Sequence, residues 1–179
     1  MTKKLPVAVT KEEFVDLIKH TTKTHHKLAF LLAWGSGLRI SEIVGGKRKD
    51  GTMIPALTKD MIDMKERKIM VKQGKGRKDR IVPLSKGFTF HHLSLLPIKI
   101  SSRSLERAFL RVCEKSGLKK TKPDVHFHSL RHGFGSQLAN QGVPIHHIRT
   151  LMGHSNISTT NTYLELNPKE ALKSYEELF

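Results

Sequence analysis

The sequence predicts an α+β fold, a mostly helical single domain with a small antiparallel sheet. Three observations lead there. Apolar residues recur at helical spacing near both ends of the chain. Between them, residues 53–84 change to short runs rich in β-branched and apolar side chains around a Gly- and Lys-rich turn. A chain of 179 residues also suits one hydrophobic core.

Each element has its own signal. Thr10 and Glu13 have capping-box spacing, and Phe14, Leu17 and Ile18 supply an apolar stripe, so residues 10–20 read as helix. A more apolar helix spans 24–36 and ends near Gly37. Residues 38–44 form another helical turn or two, stopped by Gly45-Gly46, and 47–51 are a charged loop. Segments 53–57, 68–72 and 80–84 read as strands, the last two joined as a β-hairpin by the turn at 73–79. Residues 88–100 read as loop with some helix. Leu105, Phe109 and Val112 mark a helix over 102–115, closed by Gly117, and 119–124 form a basic linker containing Pro123. Helices are expected over 129–141, 144–152 and 158–164, and Asn167-Pro168 restarts an amphipathic helix to residue 179.

Composition narrows the function classes. Thirty-two Lys and Arg against sixteen Asp and Glu give a formal charge of +16, which attracts polyanions, nucleic acid above all. A ribosome-associated or simply solvated basic surface is the alternative. The apolar run at 28–34 is too short to span a bilayer, and residues 1–9 do not read as a signal peptide, so an intracellular, membrane-free location is expected. The one cysteine, Cys113, excludes an intrachain disulfide and reads as a small core residue. The eleven histidines include three adjacent pairs whose side chains diverge. His128 and His132 have i,i+4 spacing, but neither a third ligand nor an HExxH pattern accompanies them, so no metal and no cofactor is expected.

Five segments carry the chemistry: Gly37-Leu38-Arg39-Ile40-Ser41-Glu42, Gly74-Lys75-Gly76-Arg77-Lys78-Asp79-Arg80, His128-Ser129-Leu130-Arg131-His132, Leu151-Met152-Gly153-His154 and Ser158-Thr159-Thr160-Asn161-Thr162-Tyr163. In order, spacing and flanking residues they resemble the tyrosine recombinase (phage integrase) family, and the resemblance runs from Leu5 to about Asn167. It implies that residues 1–179 form the family's catalytic domain, which cleaves and rejoins double-stranded DNA through a 3′-phosphotyrosyl intermediate.

The implied roles suit the residue types. A phosphodiester is anionic, and Arg39 and Arg131 can clamp its oxygens through planar, permanently charged forks. His128 would act as acid, base or hydrogen-bond partner beside the nucleophile, and His154 would donate a hydrogen bond to the phosphate. Lys75 would protonate the leaving 5′-oxygen, with Lys78 as the rival for that task. Tyr163 would be the nucleophile; a phenol with a pKa of about 10 needs such cationic neighbours. Glu42 would orient the active-site cations, His132 reads as structural, and Arg77, Lys78 and Arg80 read as contacts to the DNA backbone.

The resemblance further implies a homo-oligomer, a tetramer on two DNA sites, with residues 168–179 packing either in cis or on a neighbouring protomer, and a cytoplasmic, nucleoid-associated location. Family members typically carry an N-terminal helical clamp, which is expected to be missing here, in a truncated or a naturally minimal form. A type IB topoisomerase-like relaxing enzyme and a DNA-binding protein that keeps the fold without recombining are the alternatives.

Overall fold

The computed structural model describes residues 6–48, 50–72 and 79–153. The helices expected over 158–164 and 168–179, and the turn over 73–78, lie outside the described residues.

Helix α1, Lys11–His20, begins where predicted. The Glu13 amide donates to Thr10 Oγ1 at 3.3 Å, and the Thr10 amide donates to Glu13 Oε2 at 2.8 Å. These two bonds satisfy N–H groups that a helix start leaves open. Helix α2, Thr24–Ser36, is the central element: Leu28, Ala29, Phe30, Leu32 and Ala33 are all buried. It stops at Gly37, whose φ of 67° lies in the left-handed region. A Cβ at that position would meet the Phe134 ring at 2.4 Å, so space as well as backbone angle requires glycine. Helix α3, Ile40–Val44, follows after the three residues 37–39.

Among the described residues, five short strands form two antiparallel sheets. β1 (Gly46–Lys47) pairs with β2 (Met53–Ile54). β3 (Ile62–Asp63), β4 (Lys68–Val71) and β5 (Arg80–Pro83) stand in that order. The predicted hairpin is β4–β5, with Ile69 opposite Val82 and Val71 opposite Arg80. Ile69, Val71 and Val82 turn inward, while Met70 and Ile81 face outward, as the two-residue period of a strand requires. The expected strand over 53–57 shrinks to two residues because Pro55 has no N–H for a ladder.

Helix α4, Phe90–Leu93, is the short helical piece expected within 88–100. Helix α5, Ser102–Lys115, has the predicted bounds, and Ser101 caps it by accepting from the Ser104 amide. The expected linker over 119–124 instead starts as helix α6, Leu118–Thr121, because Leu118 tucks into the core. Helix α7, His128–Asn140, begins one residue earlier than predicted, and α8, Ile145–Met152, closes the described chain.

One core joins these elements. Phe30, Phe109 and Phe127 meet edge-to-face with centroids 5.4–5.9 Å apart, tying α2 to α5 and to the entry of α7. Each such buried ring contributes about 1.5–3 kcal/mol. Cys113 lies in this core as predicted, and burial pushes its thiol pKa up to about 12. A smaller cluster of Phe134, Ile148 and Met152 fixes α8 against α7. Among the described residues no helix is long and apolar enough to cross a membrane.

Candidate active site

The site forms where α3, α7, β5 and the end of α8 converge. Arg39 is the N-cap of α3, placed there by the left-handed turn at Gly37. Its amide donates to Glu42 Oε2 at 2.8 Å, its guanidinium to Glu42 Oε1 at 3.1 Å and to the Gly153 carbonyl at 3.2 Å. A third of the side chain stays exposed, so Arg39 presents charge at a surface.

Arg131 lies one turn into α7 and is fully buried. Its terminal nitrogens donate to the carbonyls of Gly37 and Met152. These bonds join the last residues of α2 and α8 to α7. On the same helix Gly133 lets α7 approach α2 closely: a Cβ there would lie 2.3 Å from the Val9 carbonyl and 3.1 Å from the Trp34 ring.

His128 opens α7, and its position three residues before Arg131 puts both on one helix face. The His132 ring stands edge-on to it at 4.9 Å, and the exposed His126 ring stacks at 6.3 Å. Burial first, then the nearby charges of His132, Arg131, Arg39 and His126, lowers the His128 pKa to about 3. Burial, His126 and Arg131 similarly lower His132 to about 4. Both imidazoles are therefore neutral at physiological pH.

Glu42 is the buried acid of the site. Burial opposes its ionisation, but the hydrogen bonds and charge of Arg80, the charge of Arg39 and the Arg39 amide overcome that effect. The carboxyl stays well below the usual carboxylate range.

Arg80 has a partner that its place in the sequence does not announce. It was expected on the DNA backbone with Arg77 and Lys78, yet its side chain is only 9% exposed. Its terminal nitrogens fork onto Glu42 Oε1 and Oε2 at 2.8 and 2.9 Å, and Nε donates to the Leu151 carbonyl at 3.0 Å. The turn from a solvated strand end to an interior ion pair has a simple cause. Glu42 needs a second cation to offset its burial, and Arg80 is the first residue of the strand that reaches it. Nothing in the local sequence marks this, since 38 residues separate the partners.

Lys75, Arg77, Lys78, His154 and Tyr163 lie outside the described residues. Lys75, Arg77 and Lys78 belong to the stretch between β4 and β5, and His154 follows Gly153 directly in the chain. Of the expected site, Arg39, Glu42, His128 and Arg131 are brought together. His126 was not singled out from the sequence; its offset of two residues from His128 gives no helical-face signal. Among the described residues no three His, Cys, Asp or Glu side chains are grouped as metal ligands would be.

A helical domain that gathers two arginines, a neutral histidine and a buried carboxylate at one helix junction is suited to hold an anion such as a phosphodiester. The sequence places it among known proteins: the phage integrase family profile matches residues 8–94 and 92–170, and the chain belongs to that family. Tyrosine recombinase XerA of Thermococcus kodakarensis is 32% identical over 193 residues, covering 97% of this chain and 63% of the relative. A tyrosine recombinase of Thermosipho africanus is 31% identical over 196 residues, covering 98% of this chain and again 63% of the relative. The chain thus spans just under two thirds of these relatives.

The fold has counterparts in solved structures. The crystal structure of XerA recombinase superposes with a TM-score of 0.73 at 23% identity, over 99% of this chain and 65% of that one. XerH site-specific recombinase bound to its difH substrate, in a pre-cleavage complex, gives 0.68 at 20% identity over 94% and 53%.

Proposed function

We propose that this chain is the catalytic domain of a tyrosine-type site-specific DNA recombinase, acting on double-stranded DNA through Tyr163. The observation that carries the proposal is that Arg39 and Arg131 both bond the end of α8, with Glu42 and His128 beside them, and that the chain leads from there to His154 and Tyr163.

The chemistry follows from those groups. Arg39, partly exposed, clamps a non-bridging oxygen of the scissile phosphate. Arg131 adds its charge from a dry setting, where Coulomb forces reach further. As the Tyr163 oxygen bonds to phosphorus, the phenolic proton passes to His128, whose basicity the bound phosphate anion raises above its DNA-free value. The bond from phosphorus to the 5′-oxygen breaks, and Lys75 supplies the proton to that oxygen. His154 donates a hydrogen bond to a non-bridging oxygen of the pentacoordinate phosphate. A 3′-phosphotyrosyl link and a free 5′-hydroxyl result. Attack by the same or another 5′-hydroxyl reverses the steps, so religation needs no ATP. The cations of the protein supply the positive charge, with no metal in any step. Arg77 and Lys78 contact the DNA backbone beside the cleavage point.

Recombination needs more than one copy. We place four protomers on two DNA sites, with residues 168–179 packed in cis or on a neighbouring protomer, at the nucleoid in the cytoplasm. A nicked suicide duplex tests the cleavage step: a covalent protein–DNA adduct forms in EDTA with the unaltered chain and is absent with Tyr163→Phe. An adduct that requires added metal would overturn the scheme. Exchange between two sites in one plasmid separates recombination from simple relaxation.

A further inference from the structure

Arg80 closes a ring of contacts through three elements. From β5 it forks onto Glu42 of α3; Glu42 holds the amide and guanidinium of Arg39; Arg39 reaches the Gly153 carbonyl; and Arg80 Nε holds the Leu151 carbonyl at the same end of α8. The Arg80 side chain also lies flat on Gly153, where a Cβ would come within 3.0 Å of Arg80 Cδ and 3.1 Å of Nε. Gly153, with φ of 59°, is the last described residue before His154.

We propose that Arg80 is a positioning residue that sets Arg39 and the end of α8 in a single register, so that the phosphate clamp and the segment entering His154 move as one. The proposal rests on the recombinase reading for its catalytic consequence but not for its structural part. Three features of the side chain are needed together. The fork spaces two parallel bonds onto one carboxylate, Nε adds a third donor at a fixed angle, and the guanidinium brings a positive charge to the buried Glu42. A lysine keeps the charge and loses the fork. Arg80 also begins the strand that emerges from the turn carrying Lys75, so the same contact anchors one end of that turn.

The test compares the unaltered protein with Arg80→Lys and Arg80→Met on a nicked suicide duplex, measuring single-turnover cleavage, the Kd for DNA, and amide hydrogen exchange at residues 150–153. Misplacing a catalytic group by about 1 Å can slow a reaction on the order of 100-fold. Arg80→Lys is therefore expected to slow cleavage about 10- to 100-fold, to leave Kd within about twofold, and to speed exchange at 150–153. In Glu42→Gln the further change Arg80→Lys should add less than about threefold, because the ring is already open. Three results overturn the proposal: unchanged cleavage in both single variants, a Kd that weakens as much as cleavage slows (which makes Arg80 a DNA contact), or unchanged exchange at 150–153. If the unaltered protein forms no adduct, the recombinase reading fails by itself. The exchange measurement still decides whether Arg80 fixes the end of α8, and the variant that folds less well can be set aside in favour of the other.

Discussion

Replacing Glu42 with glutamine keeps the shape of the site and removes one acceptor oxygen and the negative charge. The carboxylate accepts two bonds on each oxygen: Arg39 and Arg80 guanidinium N–H groups on Oε1, and the Arg39 amide and an Arg80 N–H on Oε2. Whichever oxygen becomes the NH2 group, two bonds turn into donor-to-donor contacts. A hydrogen bond to a charged group is worth about 1.5–3 kcal/mol, so the loss is roughly 3–5 kcal/mol, in line with the cost of removing one partner of a buried ion pair. For a domain of this size that corresponds to a Tm lower by roughly 6–20 °C.

The pH dependence sharpens the test. The folded carboxyl is held below its ordinary value of 4.5, so its contribution is complete above about pH 5 and is lost as pH falls from there towards the folded pKa. Urea unfolding at pH 7 and pH 4 is the assay. Glu42→Gln should be less stable at pH 7, and the gap should narrow at pH 4. A loss below about 1 kcal/mol at pH 7, or a gap that widens in acid, refutes the account of Glu42 as an ionised, doubly paired group.

Other expectations follow from the same geometry. His128 should titrate far below an ordinary histidine, near the value of about 3 that burial and its neighbours impose. Its folded pKa is depressed, so its contribution to stability is present above about pH 6.5 and lost as pH falls towards 3; an imidazole NMR midpoint near 6.5 in the DNA-free protein contradicts this. Gly133→Ala should cost about 1–3 kcal/mol, read by urea unfolding, because the added methyl meets the Val9 carbonyl, which accepts from Trp34 Nε1 at 3.2 Å. Lys75→Ala should slow cleavage by about 100-fold or more, as loss of a general acid does, and a 5′-bridging phosphorothioate with its better leaving group should restore the rate. If that substrate gives no rescue, the proton comes from elsewhere, and Lys78 is the next residue to change.

How far the sequence reveals this molecule depends on the range of each interaction. Helices α2 and α5 were legible to their ends because local signals mark them: a long apolar run closed by Gly37, and a periodic stripe closed by Gly117. The β4–β5 hairpin was legible from alternation around a glycine-rich turn. The two-residue strand β3 and the single turn α6 were not, since neither is long enough to show a period. In the site, His128 and Arg131 could be paired from helical spacing, and Glu42 from its place three residues after Arg39. The pairing of Arg80 with Glu42 was not legible because an arginine in a basic turn is normally solvated. Its burial is decided by Glu42 and by the end of α8, which only the folded chain brings near.

The central claim is that Tyr163 becomes covalently joined to a DNA 3′-phosphate. Trapping the adduct on a nicked duplex, digesting protein and DNA, and sequencing the modified peptide by mass spectrometry tests it most directly. The account predicts a nucleotide 3′-phosphate on Tyr163 and a free 5′-hydroxyl on the released strand. A modified Tyr175, a 5′-phosphate linkage, or no adduct at all contradicts it.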